Sequence, residues 1–281
     1  IHIQDFLIIS DYLSTSTKKI TTTHFLEMKK CGEKIAMLTA YDYTTAGIID
    51  AAGIDSILVG DSAANVMAGY ENTLPITVDE MIYHAKSVVR AISHALVICD
   101  MPFGSYQAGT EDALRNACRM MKETGVDALK LEGGCEIIDI VRRMVEIGIP
   151  VCGHLGLTPQ SVHKFGGYGL RAKEENEANK LLMDATALDE AGCFAIVLEK
   201  VPAALASEVT RNVKCPTIGI GAGNGTDGQV LVYADALGMT QGFKPKFLRH
   251  FANVSEVMTA GVDNYVKAVK GLTFPEEKES Y

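Results

Sequence analysis

Six short apolar runs each stop on a polar, charged or glycine-rich cluster: ILVGDS (57–62), LVICDMP (96–102), ALKLEGG (128–134), VCGHLGL (151–157), AIVLEKV (195–201) and TIGIGAG (217–223). A strand buried on both faces reads as such a continuous run rather than as an alternation. KIAMLTAYD (34–42) reads as a further strand ahead of them, and a weak eighth is expected near 234–239. Helical sequence lies between. TTAGIIDAAG (44–53) is a short helix ending on Gly53, and Thr77 with Glu80 forms a capping box that opens VDEMIYHAKSVVRAIS. Thr110 is placed to cap EDALRNACRMMKETG, which Gly125 stops. Further helices are expected at EIIDIVRRMVEIG, KLLMDATALDEAG, near 203–212, and at VSEVMTAGVDNYVKAVKG. The long connections are SAANVMAGYENTLPI and TPQSVHKFGGYGLRAKEENEA; Gly167 and Gly169 in the second suit a mobile or tightly turned lid.

Eight alternating β/α units argue for a (β/α)8 TIM barrel or a doubly wound sheet. A doubly wound sheet gathers its ligand at one switch point, whereas a ring draws on strand ends all round its mouth. The polar groups here end most of the strands, which favours the barrel. No G-x-G-x-x-G opens a helix after the first strand, and GIGAGNG (219–225) sits near the end of the seventh. Asp61, Asp100, Lys130, Glu132, His154 and Glu199 are therefore expected to face one pocket.

Composition narrows the classes. The 281 residues are 47% hydrophobic and 22% charged, enough for one large domain with a buried core. The net charge of −9 disfavours a nucleic-acid partner, since phosphate binding needs clustered cations. The seven cysteines are odd in number and form no C-x-x-C pair, which fits a reducing, cytoplasmic compartment. No apolar run of about 20 residues implies a membrane span. Residues 1–20 lack a basic n-region and a cleavage site and read as a loose arm or appended segment rather than a signal peptide. Residues 21–273 are expected to form the single barrel domain and 274–281 a polar tail.

Asp61, Asp100 and Glu132 are carboxylates at three adjacent strand ends. Without a cation they would repel and raise one another's pKa. Mg²⁺ takes such oxygens together with water and substrate. Each acid taken alone would serve equally well as a loop or helix cap. Lys130 and Glu132 are two apart and share a face. Lys130 can hold a substrate carboxylate or a developing enolate; a Schiff base or a plain Lys130–Glu132 pair are its alternatives. His154 can donate to a carboxylate or shuttle a proton, or be a satisfied core histidine. Glu199, partly buried with a raised pKa, would make a general base, or else cap the next helix. Ser62 can bind a carboxylate, or simply sit in a turn; no G-x-S-x-G surrounds it to make a nucleophile.

TAYDY (39–43), VGDS (59–62), TLPIT (73–77), DMPFGSY (100–106), KLEGG (130–134), VCGHLGLTPQSV (151–162), VLEKVP (197–202) and IGIGAG-x-x-TDGQVLV (218–232) closely resemble the ketopantoate hydroxymethyltransferase family. The resemblance runs from about residue 21 to about 270, and departs at residues 1–20 and in detail at GGYGLRAKEENEA. It implies a barrel of the phosphoenolpyruvate mutase/isocitrate lyase group, assembled as a homodecamer. It implies Mg²⁺, with 5,10-methylenetetrahydrofolate as co-substrate and 3-methyl-2-oxobutanoate as acceptor. Asp61, Asp100 and Glu132 would then ligate the metal. Asp61, Ser62, Asp100, Lys130 and His154 would bind substrate, and Glu199 would be the base. The expected reaction forms ketopantoate through a Mg-stabilised enolate, in pantothenate biosynthesis. Other readings are another metal-enolate 2-oxoacid lyase or mutase of the same barrel group, and a non-catalytic binding barrel.

Overall fold

A computed structural model describes residues 18–240, 242 and 244–281; the expected arm over 1–20 lies outside the described residues as far as position 17. Its centre is a closed barrel of eight parallel strands in sequence order, with β1 (Ile35–Thr39) pairing both β2 (Ser56–Val59) and β8 (Gly228–Leu231). Between them run β3 (Leu96–Asp100), β4 (Ala128–Glu132), β5 (Val151–Gly156), β6 (Ala195–Glu199) and β7 (Thr217–Ile220). β2, β3 and β4 are buried at every position, as strands must be when packed between a barrel interior and covering helices.

The lower end is plugged from outside the ring. Phe25 and Met28 of α1 (Thr22–Cys31) join Met37, Leu58, Leu96, Ala128, Ala195 and Val230 in one apolar cluster, drawn largely from strand beginnings. Ile20 and Phe194 pack against it. Lys29 of α1 donates to the carbonyls of Thr210, Val213 and Cys215 and pairs with Asp227 at 3.0 Å, satisfying backbone acceptors that the apolar plug cannot.

The covering helices are α2 (Tyr43–Ala51), α3 (Ala63–Val66), α4 (Val78–Val89), α5 (Thr110–Thr124), α6 (Ile138–Glu146), α7 (Val162–Phe165), α8 (Glu175–Glu190) and α9 (Ala203–Asn212). The Thr77/Glu80 capping box is present, and Gly125 ends α5 at φ +75°. Some local expectations move. Gly109 takes the N-cap of α5, and Thr110 is its first residue with no side-chain cap bond. α8 begins five residues earlier than KLLMDATALDEAG, with Glu175 and Glu177 at the favourable positive end of its dipole. The two long connections carry the short helices α3 and α7.

The eighth strand is not near 234–239. It is Gly228–Leu231, and Tyr233–Ala236 forms the short helix α10. The apolar Ala-Leu-Met composition of 234–239 suits a helix as well as a strand, so composition alone misplaces it. Gly228 explains the true position: a Cβ there would lie 2.5 Å from Ile35 O, so only glycine lets β8 close against β1.

Residues 18–231, which hold the whole ring, are one compact unit; residues 232–281 form a second. In the second, α11 (Val254–Lys270) has no buried residue and exposes Val257, Met258, Val262 and Tyr265.

Candidate active site

Strand register builds the site. Asp100 on β3 lies beside Lys130 on β4, Glu132 beside His154 on β5, and Gly156 beside Glu199 on β6. Asp100, Glu132, Gly156 and Glu199 end their strands and Lys130 and His154 lie two residues before an end, so all stand on or just inside the carboxyl rim, where such barrels place their chemistry. Asp61 and Ser62 follow β2 directly. Gly156 matters for closure: at φ +88° a Cβ would fall 2.3 Å from Glu199 O and 2.6 Å from Val201 Cγ1.

The expected residues form one connected polar chain. Asp61 N–H donates to Asp100 Oδ2 at 2.9 Å, and Lys130 Nζ lies 3.1 Å from Asp100 Oδ1. Lys130 Nζ is also 3.1 Å from His154 Nδ1, which stands 3.2 Å from Glu132 Oε1. His154 Nε2 faces Glu199 Oε2 at 3.4 Å. Asp61, Asp100, Lys130, Glu132 and His154 are buried, and Glu199 is partly exposed. Ser62 Oγ is 2.7 Å from Tyr41 OH, on the flank of the cluster. The lysine pairs with Asp100 rather than with Glu132, the partner that its own strand offered.

Burial and crowding set the charges. Burial first, then Asp100 and Glu132, push the Asp61 carboxyl well above the usual range. Burial pushes Glu132 up to about 7, although Lys130 pulls it back. Burial pulls Lys130 down, but Asp100, Glu132 and Asp61 outweigh it and hold the ammonium above its ordinary value. Burial and the neighbouring Lys130 lower His154, so the ring is neutral. An ammonium donating to Nδ1 assigns the ring proton to Nε2, which lies 3.4 Å from Glu199 Oε2 without a hydrogen bond to it.

Two polar residues in this cluster were not anticipated from sequence. Gln160, in the 3-10 turn Pro159–Ser161, donates from Nε2 to Asp61 Oδ2 at 2.9 Å and from its backbone N–H to Glu132 Oε2 at 2.9 Å. Tyr106 OH donates to Gln160 Oε1 at 2.7 Å and accepts from Glu132 N–H at 3.1 Å. Both lie inside the DMPFGSY and TPQSV blocks, and the only signal was a bulky polar side chain within an otherwise tight loop.

A cavity of about 460 Å³ opens against Glu132 and Gln160, walled also by Tyr106, Phe165, Arg171 and Lys180. Its size is that of a small-molecule site. The 166–174 loop beside it is tightly turned: Gly166 and Gly167 take φ of +69° and +128°, and Arg171 N–H is tied to Lys200 O at 2.8 Å. Arg171 lies over the Phe165 ring at 3.9 Å. Lys200 turns to Tyr168 O.

Among the described residues, no group of three or more His, Cys, Asp and Glu side chains is arranged as a ready metal cage. Gln160 and Lys130 engage the carboxylates instead. The donor chemistry still suits a hard divalent cation. Glu132 Oε1 is buried with no hydrogen-bond donor, and hard cations seek such an oxygen; Asp100 Oδ1 is buried and compensated only by its ion pair with Lys130.

The family model described as ketopantoate hydroxymethyltransferase matches residues 19–277. The chain is 59% identical over 273 residues to a 3-methyl-2-oxobutanoate hydroxymethyltransferase of Phocaeicola vulgatus, covering 97% of this chain and 100% of that one. It is 61% identical over 264 residues to the protein of the same name from Christiangramia forsetii, covering 94% and 97%. Its fold is similar to a crystal structure of 2,3-dimethylmalate lyase, a PEP mutase/isocitrate lyase superfamily member, at TM-score 0.55 and 16% identity, over 89% of this chain and 98% of that one.

Proposed function

The chain belongs to the ketopantoate hydroxymethyltransferase family, and on that premise we infer that it adds a hydroxymethyl group to 3-methyl-2-oxobutanoate, giving ketopantoate for pantothenate biosynthesis. The observation that carries this reading to named residues is the buried polar chain from Asp61 through Asp100, Lys130 and His154 to Glu132 and Glu199. We assign 5,10-methylenetetrahydrofolate as the one-carbon donor.

Asp61, Asp100 and Glu132 are the residues that would hold a divalent cation, Mg²⁺ in this reading. When bound, the ion would polarise the keto group of the 2-oxoacid and acidify its C3–H bond. Glu199 takes the C3 proton: it is the one carboxylate of the set that is partly exposed, and it stands 3.4 Å from the neutral imidazole of His154. The C3–H electron pair moves into the C2–C3 bond, and the negative charge that reaches the keto oxygen is met by the Lys130 ammonium, already charged before substrate arrives. Ser62 and His154 offer further donors to the substrate carboxylate. C3 then bonds to the methylene carbon as both of that carbon's C–N bonds break; water supplies the hydroxyl oxygen, and one proton from water and the one held by Glu199 restore the two N–H groups of the departing tetrahydrofolate.

No helix among the described residues is long and apolar enough to cross a membrane. A homo-oligomer, a decamer as in the family, completes the proposal.

Purified protein supplied with 3-methyl-2-oxobutanoate, the methylene-folate and Mg²⁺ should form ketopantoate, and chelation should stop it. Turnover of a 2-oxoacid without folate would point instead to a lyase or mutase. Deuterium exchange at substrate C3 isolates the base: Glu199→Gln should slow it by about 100- to 10,000-fold. Exchange at the wild-type rate would remove Glu199 from that role.

A further inference from the structure

Each acid of the cluster has one oxygen held by an N–H donor. Asp100 Oδ2 takes the Asp61 N–H, while its Oδ1 is paired with the Lys130 ammonium at 3.1 Å. Glu132 Oε2 takes the Gln160 N–H, while its Oε1 is buried without a donor. Asp61 Oδ2 takes the Gln160 side-chain amide. One residue therefore pins two of the three carboxylates.

The turn explains why the backbone donor is free. Pro159 has no N–H, and the following N–H, that of Gln160, has no acceptor within so short a helix. The amide orientation is set from four sides. Its two N–H bonds go to Asp61 Oδ2 at 2.9 Å and Met101 O at 3.0 Å. Its oxygen accepts from Tyr106 OH at 2.7 Å and Gln107 Nε2 at 3.1 Å. Flipping the amide would set oxygen against carboxylate and carbonyl, and N–H₂ against two donors. Tyr106 has a single proton, and its contact to Gln160 is shorter than the 3.2 Å to Glu132 O.

We propose that Gln160, oriented by Tyr106, is the positioning residue that decides which oxygen Asp61 and Glu132 present to a divalent cation. This rests on the reading above that these acids hold such an ion. Gln160 does not touch the substrate; it acts through the carboxylates, as hydrogen-bond partners of metal ligands do. Gln160 and Asp61 are 99 residues apart, so no spacing along the sequence pairs them.

The test is titration of the full-length, substrate-free protein with Mn²⁺, followed by calorimetry and by the EPR signal of the free ion. Thermal unfolding in chelator runs alongside. Gln160→Ala keeps the backbone donor to Glu132 and loses the clamp on Asp61, so its dissociation constant should rise about 10- to 100-fold. Tyr106→Phe keeps the Gln160 side chain but frees its amide, and should weaken binding in the same direction by a smaller factor, at least about 3-fold. A role confined to stability predicts a lower melting temperature in chelator with an unchanged dissociation constant. Mn²⁺ affinity within twofold of wild type in a folded Gln160→Ala protein, or in Tyr106→Phe if the first variant does not fold, overturns the proposal while the functional reading stands. A wild-type protein that binds no Mn²⁺ overturns both.

Discussion

Lys130 is a buried cation among three buried acids, and replacing it by methionine removes the charge while keeping most of the stem volume. Its Nζ lies 3.1 Å from Asp100 Oδ1. At an effective dielectric of about 20, a pair at that separation is worth about 5 kcal/mol, and breaking a buried pair by deleting one partner costs about 3–5 kcal/mol. Lys130→Met should therefore lose about 3–5 kcal/mol at pH 8 in chelator. The pH dependence follows from the acids. Asp61 and Glu132 have folded values raised above their unfolded ones. Their protonation thus favours the fold; the benefit is complete below the unfolded values and is lost as pH rises through the folded ones, about 7 for Glu132. Lys130 itself is raised, so it stays charged throughout this window. Without it, the acids bind a proton more tightly still, and an acquired proton replaces the missing charge. Each pH unit over which the variant alone holds that proton recovers about 1.4 kcal/mol, and wild-type Glu132 takes up its own below about 7, so the deficit should shrink by about 1–2 kcal/mol between pH 8 and pH 5. Urea unfolding of both proteins at the two pH values, in chelator, measures it. A deficit under about 1 kcal/mol at pH 8, or one equal at both pH values, refutes the reasoning that Lys130 compensates the cluster.

Gly156→Ala forces a Cβ into Glu199 O and Val201 at a positive φ, which should cost about 2–5 kcal/mol in urea unfolding and depress C3 exchange by shifting Glu199; a loss under about 1 kcal/mol would show that the strands separate easily there. Asp50 accepts from Ser93 N–H and Oγ–H and from the His94 and Ala95 N–H groups. Burial pushes its carboxyl up, but these donors outweigh it and hold the value below the ordinary one. Asp50→Ala should cost about 3 kcal/mol at pH 7. Because the folded value is depressed, that difference should be complete above the unfolded value and fade as pH falls through the folded one, which unfolding curves from pH 7 down to about pH 3 will test. Cys99, Cys152, Cys193 and Cys215 are buried with raised thiol pKa values, so they should react with a thiol reagent only on unfolding, while Cys31, Cys118 and Cys135 are exposed. Labelling followed by peptide mass mapping distinguishes the two sets.

What could be read along the chain was what local forces decide. The apolar runs that became β2 to β7, the Thr77/Glu80 cap and the Gly125 stop each depend on residues within a few positions of one another, so spacing and side-chain type suffice. The polar residues ending those strands were visible for the same reason: a continuous buried strand announces where it stops. Tertiary structure decided the partnerships. Lys130 pairs with Asp100 across the β3–β4 register and not with Glu132 along its own strand, and a shift of one residue would have sent it to the opposite face. The place of β8 depended on the close approach of Gly228 to Ile35 O, which no property of residues 228–239 reveals by itself. Gln160 meets Asp61 and Glu132 only because the ring closes its loops over one mouth, and hydrogen bonds between residues so far apart in sequence leave no periodicity to read.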